Sequence, residues 1–152
     1  MHVIVATDGS KQSLSAARQL KELVDAQKVS AVSVIAVIRP FAAVAFADEL
    51  SSDDKQVAAA QEMSFRSAAQ NAVDAIAAEF DGWGPEVHTR IRSGSPAKEI
   101  IRAAEELEAG LVVVASGGRG LSEAVLVGST AQWVQAYAPC PVLVVRPARR
   151  SR

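Results

Sequence analysis

Leu111-Val112-Val113-Val114 is apolar at every position and stops abruptly at Ala115-Ser116-Gly117-Gly118. A strand with one solvated face alternates in polarity, so an unbroken aliphatic run reads as a strand covered on both faces, which is the habit of parallel sheets in α/β proteins. The small residues that follow let a backbone approach a bound group closely. Downstream, Gly128-Ser129-Thr130 opens a segment with Ala131, Val134 and Ala138 at helical spacing. Ser129 or Thr130 is expected to cap that helix, whose free N–H groups and positive dipole end suit an anion. The run and the helix start thus propose two backbone cradles of the kind that hold phosphate.

The rest of the chain repeats the same unit. Val3-Ile4-Val5-Ala6 closes in Thr7-Asp8-Gly9-Ser10 and leads to a helical pattern of Leu14, Ala17, Leu20, Leu23 and Val24, with Ser10 as cap. Asp8 is either a turn-former, as Asp-Gly invites, or a ligand group at a strand's carboxyl end. Val32 to Ile38 is a second strand, stopped by Arg39-Pro40. Phe41-Ala42-Ala43-Val44-Ala45-Phe46 reads as a loop: a lid, a partner-facing patch or a packing segment. A long helix from about Ser52 to Phe80 presents Val57, Ala60, Ala68, Ala72, Val73, Ile76 and Phe80, and Asp81-Gly82-Trp83-Gly84-Pro85 ends it. Glu86 to Arg92 alternates weakly, as an edge strand would, with Val87, Thr89 and Ile91 on one face. A helix follows with Ser95 as cap and Pro96 at its first position, carrying Ala97, Ile100, Ile101, Ala104 and Leu107. Pro141 to Val145 is the last strand.

Five strands alternating with four helices predict a doubly wound, five-stranded parallel sheet with helices on both faces, a Rossmann-like α/β fold. Its ligand crevice belongs where the winding reverses, between the first and fourth strands, so that Asp8 and the Ala115–Gly118 turn meet. A single domain over residues 1–147 and a basic tail over 148–152 are expected. A P-loop is absent, and no Gly-x-Gly-x-x-Gly follows the first strand.

Composition narrows the function classes. Sixteen basic against seventeen acidic residues leave a net charge of -1, which gives no electrostatic case for nucleic acid or an anionic membrane. The arginines at 146, 149, 150 and 152 read as a solvated tail. The single Cys140, in Pro139-Cys140-Pro141, reads as a buried structural residue. His2 and His88 lack metal spacing, so no metal ligands are assigned. The first strand begins at about His2, leaving no room for a signal peptide, and no apolar run approaches a membrane span; a cytoplasmic protein is expected.

Taken together, Val5-Ala6-Thr7-Asp8-Gly9-Ser10, Gly94-Ser95-Pro96-Ala97-Lys98-Glu99-Ile100, Val112 through Ser129 and Ala138-Pro139-Cys140-Pro141-Val142-Leu143-Val144-Val145 resemble the universal stress proteins over nearly the whole chain. The ATP-binding branch looks like Gly, two residues, Gly, nine residues, Gly, then Ser or Thr. Gly118, nine residues, Gly128 and Ser129 match it ungapped, while Ala115 replaces the first glycine. Taking Gly117 and Gly120 as the pair instead leaves only seven residues before Gly128. Alanine fits a normal strand end but is strained where φ is positive or where a ligand packs against Cα.

The resemblance implies ATP, or another adenine nucleotide, in a site that includes Ala6 and Thr7, with the base near Asp8 and the backbone of Val37 and the ribose near Val114 and Ala115. It places the phosphates on the backbone of Gly118, Gly128, Ser129 and Thr130, with the last two hydroxyls helping. Arg119 beside the glycine turn is either a phosphate partner or a solvated arginine. Glu123 is a candidate holder of Mg2+ bound with the phosphates. No catalytic residue is assigned, since no base, nucleophile or metal pair has motif strength. Ser116-Gly117-Gly118 is similar to the start of the ATP pyrophosphatase motif, but Arg119-Gly120 stands where that motif continues. The expected function is an ATP-binding stress or regulatory module. Its alternatives are a protein of this fold acting through protein partners without nucleotide, and a slow ATPase or self-phosphorylating protein. The resemblance also implies a twofold homodimer pairing Val142–Val145 antiparallel, since that apolar edge would otherwise be open.

Overall fold

The structure is a computed structural model that describes residues 1–40, 52–117 and 128–146. The β-branched runs form β1 (His2–Thr7), β2 (Ala31–Ile38), β3 (Glu86–Ser93), β4 (Leu111–Ala115) and β5 (Val142–Val145). They make one sheet in the order β3-β2-β1-β4-β5, every pair parallel. The helices between them are α1 (Lys11–Leu23), α2 (Ser52–Ala78), α3 (Pro96–Glu106) and α4 (Ser129–Tyr137). A 3-10 turn at Ala26–Lys28 precedes β2. The doubly wound architecture expected from the alternation is what the chain adopts.

Strand alternation divides the core in two. Val3, Val5, Val32, Val34, Ala36 and Val113 face α1 and α2, meeting Ala17, Leu20, Val73, Ile76 and Phe80. Ile4, Ile35, Val112 and Val114 face α3 and α4, meeting Ile100, Ala103, Ala104, Ala131 and Val134. The central strands β1 and β4 are buried on both faces, which is why their sequences carry no polar alternation. β3 lies at one edge, as its weak alternation predicts; Val87 and Ile91 pack on the α1/α2 side, whereas Thr89 is exposed.

Helix faces depart from the periodicity at several positions. Along α1 the buried positions are Ser13, Ala16, Ala17 and Leu20, and Leu23 is exposed. Along α2 only Ala58, Val73 and Ile76 are buried; Val57, Ala60 and Ala68 are exposed. The carboxyl-terminal half of α2 is what sits on the sheet, so apolar spacing in its first half does not report burial. Ser10 caps α1 as expected, accepting from the Ser13 N–H at 3.3 Å. Ser95 occupies the cap position of α3 ahead of Pro96 but its side chain makes no capping bond. Cys140 is half-buried against the α3/α4 core rather than fully buried. The Phe41–Phe46 segment and residues 147–152 lie outside the described residues.

Candidate nucleotide cleft

β1 pairs with β2 on one side and with β4 on the other, so chain winding reverses between β1 and β4. Connections leave the sheet in opposite directions there, and a crevice opens at the carboxyl ends of the strands. A cleft of about 610 Å³ occupies that place, within the range of small-molecule sites.

The β1 end is built by a local hydrogen-bond set. Gly9 has φ +81°, a conformation that favours glycine. Its N–H donates to Thr7 Oγ1 at 3.1 Å, and Thr7 Oγ1 lies 2.8 Å from Ser13 Oγ, both hydroxyls being buried. Ser13 Oγ in turn donates to the Ser10 carbonyl at 2.8 Å. Asp8 Oδ1 accepts from the Ser10 N–H at 2.9 Å, the turn-forming role that Asp-Gly suggested. The carboxylate is nonetheless exposed and lines the cleft.

On the other side of the switch, Ser116 ties two elements together. Its N–H donates to the Val145 carbonyl at 2.9 Å, and its carbonyl accepts from the Gly128 N–H. Gly128 is therefore the N-cap of α4, with no side-chain capping bond, and Ser129 is the first helical residue. The expectation that Ser129 or Thr130 caps this helix is corrected: both already lie in the first turn, where a hydroxyl cannot reach the N–H two or three residues ahead in the cap geometry. Gly128 has spent its own N–H on Ser116, and the Gln132 N–H bonds the Gly128 carbonyl at 3.0 Å. Ser129 and Thr130 keep first-turn N–H groups without intrahelical partners.

Ala115 ends β4 in register with Val145. Among the described residues Glu108 is the only non-glycine with positive φ, so Ala115 has ordinary strand geometry. The strain that a glycine at this position would have relieved does not arise from the backbone.

The cleft brings together Ala6, Thr7, Asp8, Val37, Val114, Ala115, Gly128, Ser129 and Thr130. Gly118, Arg119 and Glu123 lie outside the described residues. The wall includes residues that sequence reasoning did not assign to a site. Pro96 and Ile100 close it from α3, Arg39 stands at the end of β2, and Phe65, Ala68, Ala69 and Ala72 line it from α2. Pro96 and Ile100 stood within the Gly94–Ile100 stretch, the one signal that pointed to them; the α2 contribution had none. Asp8 and Arg39 are the only charged groups among the described lining residues. Backbone donors, five hydroxyl side chains, one carboxylate, one guanidinium and a mostly apolar wall suit a ligand with a flat apolar moiety and an anionic end.

A match to the model of the universal stress protein family spans residues 1–146. This chain belongs to the universal stress protein family. A universal stress protein of Methanocaldococcus jannaschii is 29% identical over 151 residues, covering 97% of this chain and 83% of that protein. Among solved structures, the universal stress protein UspA from Lactobacillus plantarum superposes with a TM-score of 0.79 at 23% identity, covering 96% of this chain and 97% of the other. A universal stress protein family member from Arabidopsis thaliana, solved with AMP bound, superposes with a TM-score of 0.64 at 17% identity, covering 97% and 92%. These likenesses establish the fold. Among the described residues, no helix is long and apolar enough to cross a membrane, and no group of three or more His, Cys, Asp or Glu side chains is placed to hold a metal ion.

Proposed function

We propose that this universal stress protein binds an adenine nucleotide, ATP foremost, in the cleft at the β1/β4 switch and acts as a dimeric regulatory module. The observation that carries the reading is the convergence of Asp8, Val37, Val114 and Ala115 with the free first-turn N–H groups of Ser129 and Thr130 in one cavity. The base lies against Val37 with Asp8 accepting from an exocyclic amine, the ribose crosses Val114 and Ala115, and the phosphates meet the α4 N-terminus. There the helix dipole and two N–H donors favour negative charge. Gly118 and Arg119 complete the phosphate side, and Mg2+ accompanies the phosphates through Glu123. AMP in the Arabidopsis thaliana relative supports the ligand class.

Nucleotide released from freshly purified, denatured protein, together with equilibrium binding of ATP and AMP, tests the proposal. Binding lost on Ser129→Phe, with the thermal unfolding of the unliganded variant unchanged, is the expected result. Protein that neither carries nor binds adenine nucleotides at millimolar concentration refutes it, and leaves the reading of a nucleotide-free module acting through protein partners.

The open edge of β5 supports the dimer. Among the described residues β5 pairs only with β4, and its Val142, Leu143 and Val144 are half-buried. Antiparallel pairing of two β5 edges satisfies their outer N–H and carbonyl groups and continues the sheet between subunits. A monomer by light scattering at micromolar concentration refutes it.

A further inference from the structure

α2 lends the cleft a wall that the nucleotide reading leaves unassigned, and helix length puts it there. At 1.5 Å per residue the 27 residues of α2 run about 40 Å, against about 26 Å for the 8 residues of β2, on which it packs. Joining two parallel strands, α2 runs antiparallel to them, so its excess length stands beyond their carboxyl ends. Its carboxyl-terminal half covers the sheet through Val73 and Ile76. Ala72, Ala69, Ala68 and Phe65 continue that stripe towards the amino terminus at steps of three and four, and all four line the cleft.

The cleft straddles the edge of the sheet. Val37 and Val114 reach it from the α3/α4 side, whereas Ala36 and Ala69 reach it from the α1/α2 side. A planar group resting on Val37 therefore has the α2 stripe across from it. The three alanines leave room between helix and strand ends, and Phe65, 50% exposed, sets a ring at the rim of that room. Phe65 is the only aromatic among the described lining residues. Pro96 and Ile100 offer apolar contact from α3 but no π face. A nucleobase has two flat faces, and an aromatic ring is the side chain that covers one of them best.

We propose that Phe65 is the stacking partner of the base, with Ala68, Ala69 and Ala72 holding open the space that the base enters. The proposal rests on the adenine-nucleotide reading and adds to it the residue that grips the base. α2 stands over β2 and β3, while α4 starts beside β4, two strands away from β2 at about 4.8 Å each. Phe65 therefore acts on the affinity for the base and not on that for the phosphates.

The test uses the full chain with Phe65→Ala, Phe65→Leu, Phe65→Tyr and Ala68→Leu, all at exposed positions. ATP and inorganic tripolyphosphate are the probes. ATP should bind about tenfold more weakly to Phe65→Ala and to Phe65→Leu, which keeps apolar bulk without a ring, and as tightly to Phe65→Tyr as to the unmodified chain. Ala68→Leu, which fills the space, should weaken ATP as well, and tripolyphosphate should bind every variant alike. In the ATP complex the adenine H2 and H8 resonances should move upfield in the ring current of Phe65, a shift absent in Phe65→Leu. Equal ATP affinity in the unmodified chain, Phe65→Ala and Phe65→Leu overturns the stacking role and leaves the nucleotide reading standing. A parallel loss of ATP and tripolyphosphate binding overturns it too, since it marks a structural effect. An unmodified chain that binds no ATP overturns both at the first measurement. Should a variant fail to fold, the absence of any Overhauser contact between adenine H2 or H8 and the Phe65 ring in the unmodified complex overturns the proposal alone.

Discussion

Gly94→Ala probes the turn that leads β3 into the cleft wall. Gly94 has φ +142°, where side-chain-bearing residues are rarely found, and its N–H donates to the Ile38 carbonyl at 2.9 Å. A Cβ at this position would stand 3.0 Å from Glu99 Cγ, 3.3 Å from Cδ and 3.4 Å from Oε1. Glu99 is 8% exposed, and its carboxylate lies 3.8 Å from Arg92 and 3.5 Å from Arg102. Alanine therefore meets two costs. Backbone strain contributes about 1–3 kcal/mol. Displacing Glu99 from its two arginines, one of them well exposed, adds about 1 kcal/mol. For a chain of this length, a total of about 2–4 kcal/mol lowers the thermal midpoint by roughly 5–15 °C. Gly82→Ala is the control: φ there is +73° and no atom lies within 4 Å of the added carbon. It carries only left-handed strain, about 1–2 kcal/mol. Urea unfolding midpoints of both variants measure the difference. Gly94→Ala should also recover part of its loss in a Glu99→Ala background, since the contact term vanishes there. If Gly94→Ala costs no more than Gly82→Ala, the close approach of Glu99 is not what the turn depends on and the reasoning fails.

Phe80→Ala empties a site that is 2% exposed and lies 5.5 Å centroid to centroid from Trp83, so a loss of about 3–5 kcal/mol is expected in urea titrations; less than about 1.5 kcal/mol would contradict the packing. The hydrogen bonds from Arg18 at 3.0 and 3.2 Å, then the charges of Arg18 and Lys21, hold the Glu79 carboxyl below its usual range. Its contribution is present above about pH 4.5 and is lost as pH falls through the lower folded value, so Arg18→Met should shallow the acid limb of a stability–pH curve while changing stability at pH 7 by less than about 1 kcal/mol. Burial pushes the Cys140 thiol up, so at pH 7.5 a soluble disulfide reagent should modify it several times more slowly than free cysteine; an equal rate would mean the thiol is exposed.

Much of the fold was legible because strand identity here is local chemistry. Leu111–Val114 and Val3–Val5 are aliphatic throughout, and only a strand buried on both faces makes use of that. The turn chemistry was partly direct at Asp8-Gly9-Ser10, where Ser10 caps α1 as expected and Asp8 takes the turn-forming one of its two readings. The register of the α4 start was not legible. Gly128 became the cap because its N–H bonds the Ser116 carbonyl, and that contact needs β4 and α4 to be side by side first.

By itself, then, the sequence determined which segments become strands and helices, that the sheet is parallel, and that the β1 and β4 ends meet. Periods of two and 3.6 residues and the crossover rule need no distant information. Tertiary structure alone decided which face of each helix is covered: Leu23 and Val57 satisfy helical periodicity but have no sheet beneath them, while Ser13 is buried beside Thr7. It also decided that Pro96, Ile100 and Arg39 line the cleft, and that His2 reaches the buried Ser33 hydroxyl. Each of these depends on strand order and register, which are set by contacts between residues tens of positions apart, where no local pattern carries the information.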